Sequence, residues 1–199
     1  MSQPIAPSPR PGDPAPDLAL PLAGGEELRL STSWTGTRSG LVLVFLRHFG
    51  CIFCREHVAQ LKAEYGQLSA RGYDVLAIGH GTPARAAAFA RDLALPFPVL
   101  GDREQRAYAA YGLGRAGFRS LVDPRLYAAG AKAMLGGARQ GKPEGDTRQL
   151  PGTFVIDPAG IVQFAKPAAI ASDLATTGEL LAWMDGRTGA PVATASAAD

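Results

Sequence analysis

The chain has 199 residues, 46% of them hydrophobic, and a formal net charge of +2, which suffices for one domain with a substantial core. Basic and acidic residues are interspersed, which argues against a nucleic-acid or membrane-binding surface and leaves small molecules or redox proteins as partners. The start of the chain has no basic stretch followed by an apolar run, and the longest apolar run, Leu41 to Leu46, is far too short to cross a bilayer, so a cytoplasmic location is expected.

Residues 1–11 are rich in Pro and Ser and are expected to form a flexible arm. An extended approach from Gly12, a turn at Gly24 and Gly25, and a short strand over Glu27 to Leu30 then predict an N-terminal hairpin. Ser31 to Gly40 reads as a polar loop. Leu41 to Arg47 is an unbroken apolar run ending in a cation, the pattern of a buried central strand. After the turn at Gly50 the period changes to a helical one through Val58, Leu61, Tyr65 and Leu68, with a stop at Arg71 and Gly72.

Tyr73 to Gly79 is a second buried strand. Thr82 and Pro83 open a helix running to about Leu95, Thr82 as its cap and Pro83 in its first turn. A short strand over Phe97 to Leu100 and a short helix over Arg103 to Tyr111 follow. Alternating strands and helices imply right-handed crossovers and a parallel sheet core. Residues 115–149 break that rhythm and read as an insertion with a helical piece around Leu126 to Leu135. Thr153 to Asp157 and Ile161 to Phe164 form a closing hairpin at the sheet edge, Leu174 to Asp185 a last amphipathic helix, and residues 186–199 a disordered tail. The expected domain therefore spans 12–185.

Both cysteines of the chain, Cys51 and Cys54, fall at the junction of the central strand and its helix. A Cys-x-x-Cys pair there is a redox signature, because the free N–H groups and positive end of the helix stabilise a thiolate. Cys51 is expected to attack, since it sits where those donors converge, and Cys54, one turn further in, to resolve; the reverse order stays open. Two ordinary core cysteines are the bland alternative, and a reducing compartment argues against a structural staple. Cys51, Cys54 and His57 supply only three ligands and no second pair, so no structural zinc is expected; haem attachment would need His where Arg55 stands. No Gly-rich phosphate loop or dinucleotide fingerprint is present, so no cofactor is implied. Arg47, ending the central strand, is the cation best placed to favour a charged sulfur; Arg55 and His48 are weaker candidates, and His57 and His80 read as helix-face and loop residues.

Three segments carry a family resemblance: residues 12–18 with 25–31, residues 43–57 around the cysteines, and residues 149–157. Together they resemble the peroxiredoxin-like branch of the alkyl hydroperoxide reductase/thiol-specific antioxidant family, with its α/β thioredoxin-like fold. That fold implies a central mixed sheet flanked by helices, an N-terminal hairpin, and a helical insertion before the last hairpin. The insertion ending at residues 139–146 is similar to that of the subgroup that includes prostamide/prostaglandin F synthase-type proteins. The resemblance implies a thiol peroxidase with a peroxide substrate and thioredoxin or a similar dithiol as reductant, monomeric or dimeric. It also implies a cis Leu150–Pro151 bond facing the cysteines. Typical members carry Pro-x-x-x-Thr-x-x-Cys; with Cys54 at the last position, Arg47 replaces the proline and Cys51 the threonine. The chain is thus a hybrid of peroxiredoxin flanks and a thioredoxin-type dithiol. That departure motivates a second expectation, a redox-sensing or interaction module with a reversible disulfide and no efficient turnover.

Overall fold

The computed structural model describes residues 6–117 and 146–188. Five strands form one mixed sheet in the order β5-β4-β3-β6-β7. These are β3 (Gly40–Leu46), β4 (Tyr73–Gly79), β5 (Val99–Gly101), β6 (Gly152–Ile156) and β7 (Val162–Pro167). The apolar run of β3 is buried along its whole length, which only a central strand covered on both faces can satisfy. β3, β4 and β5 run parallel, whereas β6 is antiparallel to β3, with Phe45 opposite Gly152, and β7 is antiparallel to β6.

Alternate β3 residues feed two cores. Val42, Val44 and Leu46 join a cluster with α2 (Ile52–Ala70), α3 (Pro83–Asp92) and α5 (Thr177–Thr188). Leu41, Leu43 and Phe45 join Tyr108 of α4 (Arg106–Ala110), Trp34 of α1 (Ser31–Thr35), and the N-terminal hairpin of β1 (Ala19–Pro21) and β2 (Glu27–Arg29). Among the described residues no helix is long and apolar enough to cross a membrane.

The structure moves several expected boundaries. Ser31 to Thr35 is helical rather than loop: the Ser31 N–H donates to Asp17 Oδ1 at 3.0 Å, the Thr32 and Thr35 hydroxyls donate to the Arg29 and Ser31 carbonyls, and Trp34 is buried. The third parallel strand is Val99–Gly101 and begins after Phe97, although Phe97 is buried and Ala77 N–H already donates to the Pro98 carbonyl at 3.1 Å. The closing hairpin is not wholly at the edge, because β6 pairs on both sides and only β7 is terminal. The last helix starts at Thr177 and runs past Asp185 to Thr188, held by the Arg71–Asp185 ion pair at 2.8 Å and by Arg187 over the Trp183 ring at 5.1 Å.

The expected arm is docked from Ala6 onward. The Ala6 N–H donates to the Ala109 carbonyl at 3.1 Å, Pro9 is buried, and Ser8 crosses Gly112, where a Cβ would stand only 2.3 Å from the Ser8 nitrogen. Glycine at that point, with φ of 67°, makes the close crossing feasible. The expected helical piece at 126–135, most of the insertion, and the tail beyond Thr188 lie outside the described residues.

Candidate active site

β3 delivers residues 47–50 to the C-terminal end of the sheet, where Phe49 fixes the turn. Its ring fills the slot above Gly79 and Gly81, where added Cβ atoms would come within 2.2 Å and 2.7 Å of it, and it packs on Phe89 at 5.1 Å. The His48 carbonyl accepts the Cys51 N–H at 3.1 Å, closing the turn, and Cys51 becomes the residue that caps α2. No acidic side chain occupies the first turn of α2, so the positive end of its dipole is left for a thiolate.

Both cysteines are free thiols, Cys51 1% and Cys54 0% exposed. Their acidities are driven apart. Cys51 falls from 9.0 to about 6, chiefly because the Cys54 thiol donates to its sulfur; burial opposes this, and the Arg47 charge and the Cys54 and Phe53 N–H groups at the helix start add to it. Cys54 is raised well above 9.0, first by burial and then by donating to, and lying beside, the negative Cys51 sulfur. The Arg47 N–H donates to Cys54 Sγ at 3.1 Å.

Arg47 therefore serves both sulfurs, the backbone on Cys54 and the side chain on Cys51, with Nη1 3.7 Å from Cys51 Sγ. Its Nη2 donates to the Thr147 carbonyl, a partner 100 residues away that no local sequence pattern announces. Arg55 does not join the site; its guanidinium lies over the Phe89 ring at 5.8 Å. His57 is buried rather than solvent-facing, and burial followed by the nearby Lys166 charge depresses it to about 4. His80 is a buried residue directly after β4 whose Nδ1 accepts the Asp146 N–H at 3.0 Å.

Pro151 stands at the entry to β6, one step past the Phe45–Gly152 pair. The expected cis Leu150–Pro151 bond is not found, because the described chain has no cis peptide. The Leu150 carbonyl is instead taken up internally, accepting from Gln149 Nε2 at 3.0 Å, and the Pro151 carbonyl accepts the Ala168 N–H at 3.1 Å. Gln149 was not singled out by sequence, yet it is 2% exposed, and its Nε2 is shared among the Leu113, Gly114 and Leu150 carbonyls. A buried amide wired to three carbonyls fixes the loop that faces the cysteine turn. Among the described residues no group of three or more His, Cys, Asp or Glu side chains is assembled as a metal site.

This arrangement sets the two thiols apart: that of Cys51, lowered, lies beside a cation, and that of Cys54, raised, lies directly behind it.

The model of the AhpC/TSA family matches residues 11–165. The thiol-disulfide oxidoreductase ResA of Geobacillus thermodenitrificans is 31% identical over 115 residues, 56% of this chain and 63% of that protein. A Mycobacterium tuberculosis chain provisionally named a peroxiredoxin is 26% identical over 156 residues, 78% of this chain and 83% of that one. The crystal structure of peroxidoxin BcpB from Mycobacterium tuberculosis superposes with a TM-score of 0.66 at 18% identity, covering 89% of this chain and 97% of that one. The chain spans 34% of the length of a chloroplastic thioredoxin-like protein of Arabidopsis thaliana that it matches, and 63% of ResA.

Proposed function

Because the chain belongs to the AhpC/TSA family, we propose that it is a thiol peroxidase that reduces hydroperoxides through a Cys51/Cys54 dithiol-disulfide cycle. The observation that carries this is the placement of Cys51 at the start of α2 with Arg47 Nη1 3.7 Å from its sulfur and Cys54 directly behind, which lowers the Cys51 thiol and raises that of Cys54. In the first step the Cys51 thiolate attacks the terminal peroxide oxygen. An S–O bond forms, the O–O bond breaks, and the alkoxide leaves, taking a proton from solvent to depart as an alcohol or water. Cys51 becomes a sulfenic acid.

That step also prepares the second one. The negative charge on Cys51 is among the causes that hold the Cys54 proton in place, and it disappears on oxidation. Cys54 sulfur then attacks Cys51, the S–S bond forms, the S–O bond breaks, and hydroxide leaves with the Cys54 proton as water. An external dithiol, thioredoxin or a similar cytoplasmic reductant, reopens the disulfide by exchange. In this proposal Arg47, whose Nη1 lies 3.7 Å from Cys51 Sγ, stabilises the thiolate and binds the incoming peroxide.

A second reading, exchange with protein disulfides, has its own support: a thiol stands at position 51 where typical members have a threonine hydroxyl, and ResA is a relative. Turnover of hydrogen peroxide or an alkyl hydroperoxide coupled to the thioredoxin system tests the proposal, with reduction of insulin disulfides as the parallel assay. Cys51→Ser is expected to abolish peroxide turnover, and Cys54→Ser to leave a single turnover ending in sulfenic acid. Unchanged turnover in Cys51→Ser would refute the peroxidase cycle. One equivalent of peroxide consumed by the unaltered chain, with a disulfide that thioredoxin does not reopen, would make it a redox sensor instead.

A further inference from the structure

Arg47 is effective only if its guanidinium is aimed. A free arginine side chain spreads over many rotamers, and fixing it costs conformational entropy. Here it is forked, with Nη1 on Cys51 Sγ at 3.7 Å and Nη2 on the Thr147 carbonyl. The Thr147 carbonyl thus sets the direction of the charge. Thr147 lies in a loop segment, so its own place has to be secured by something firmer.

The residue before it supplies that anchor. The Asp146 N–H donates to His80 Nδ1 at 3.0 Å, its Oδ2 pairs with Arg115 Nε at 2.6 Å, and its Oδ1 accepts the Arg148 N–H at 2.9 Å. Arg115 and Gln149 form an antiparallel bridge, and the Ala116 N–H donates to the Arg148 carbonyl at 2.6 Å, so the two ends of the insertion are fastened together. His80 ties the Asp146 end of this clasp to the end of β4, while its other end runs on through Gln149 into β6. His80 directly follows β4, whose Gly79 is in register with Leu46 of β3. Arg47 and His80 therefore each follow directly on a registered pair at the ends of neighbouring strands. His80 is 7% exposed, so its Nδ1 accepts the Asp146 N–H largely shielded from water.

We propose that His80 is a positioning residue for the reactive thiolate: through the Asp146 N–H it holds the Thr147 carbonyl, which aims the Arg47 guanidinium at Cys51. The inference rests on the reading of Cys51 as the reacting sulfur, but its test needs no peroxide. The ionisation of Cys51 is followed by thiolate absorbance and by the pH dependence of its alkylation, the modified residue being confirmed by mass spectrometry.

His80→Leu, which keeps bulk but removes the acceptor, is expected to raise the Cys51 pKa by roughly 0.5 unit or more, the scale of a weakened neighbouring charge. His80→Asn, whose Oδ1 can accept the same N–H, is expected to restore most of the shift. In an Arg47→Met background, His80→Leu is expected to change nothing further. A role in packing alone would lower stability and leave the ionisation where it was. An unchanged Cys51 pKa in His80→Leu, or an equal rise with and without Arg47, overturns the proposal. If His80→Leu does not fold, Arg115→Met loosens the same clasp from its solvent side; a raised Cys51 pKa there supports the proposal, and an unmoved one overturns it. Loss of peroxidase activity in the unaltered protein would bear on the proposed function and not on this coupling.

Discussion

The Tyr108 hydroxyl donates to the carbonyl of Leu46, and the N–H of the same peptide unit, on Arg47, donates to Cys54 Sγ at 3.1 Å. A buried phenol on α4 is thereby connected through one peptide to the Cys54 sulfur. The hydroxyl also reaches the Ile78 carbonyl at 3.2 Å, so it spans the ends of β3 and β4. Tyr108→Phe keeps the ring, with its edge contact to Phe45 at 5.2 Å, and removes the hydroxyl with its bonds to the Leu46 and Ile78 carbonyls and to the His80 N–H. The expected loss is about 1–3 kcal/mol in urea unfolding, from buried carbonyls left without their donor. Disulfide closure after peroxide is expected to slow, while the Cys51 pKa stays near its original value. Stopped-flow fluorescence after a single peroxide addition measures the closure.

The acidity of Cys51 is expected to depend more on Cys54 than on Arg47, because the donated thiol is the largest favourable contribution. Cys54→Ala should raise the Cys51 pKa most and Arg47→Met less, with Cys54→Ser between wild type and alanine because its hydroxyl still donates. Absorbance titration of the three variants orders them. A larger shift for Arg47→Met than for Cys54→Ala would reverse the assignment of causes.

Stability of the reduced protein should rise with pH between about 6 and 9. Cys51 is an acid whose folded value, about 6, lies below its ordinary 9.0, so the folded chain releases its proton first. The contribution is complete above 9 and vanishes as pH falls through 6. At pH 7 it amounts to about 1 kcal/mol. Cys51→Ala should remove this slope from urea melts recorded across the range.

On the acid side His57 acts with the opposite chemistry. Burial holds it neutral down to about 4, below its ordinary 6.5, so the unfolded chain takes up a proton that the folded one refuses. Stability is expected to fall as pH drops from 6.5 to 4, by on the order of 3 kcal/mol, and to lose nothing more to this group below 4. His57→Phe should flatten that limb. An unaltered acid limb in this variant would show that other groups govern it.

Local chemistry was legible wherever a pattern is complete within a few residues. The apolar run before Arg47, the change of period after Gly50 and the Thr82–Pro83 helix start all correspond to observed elements, with Thr82 accepting the Arg85 N–H as its cap. The dithiol itself was legible for the same reason. Elements whose stability comes from distant partners were not. The helix at Ser31 depends on Asp17, the arm depends on Gly112, and Phe97 is buried without being a strand residue. At the site, Arg47 could be named but not its anchor at Thr147, and His80 read as an ordinary loop residue because its partner is 66 positions away. The cis bond at Pro151 was carried over from a fold-level likeness; Gln149 already occupies the Leu150 carbonyl that such a bond would present.

The span between Arg47 and Thr147 also orders events during synthesis. A ribosome adds about 5–20 residues per second, so the 100 positions separating the two correspond to roughly 5–20 s of elongation. During that interval the cysteine turn has been made while the carbonyl that aims its arginine has not, and β6, which flanks β3 on the other side, is still to come. A nascent chain therefore carries its dithiol without the full set of groups that sharpen Cys51, and that set is completed only when the second half of the domain closes over the first.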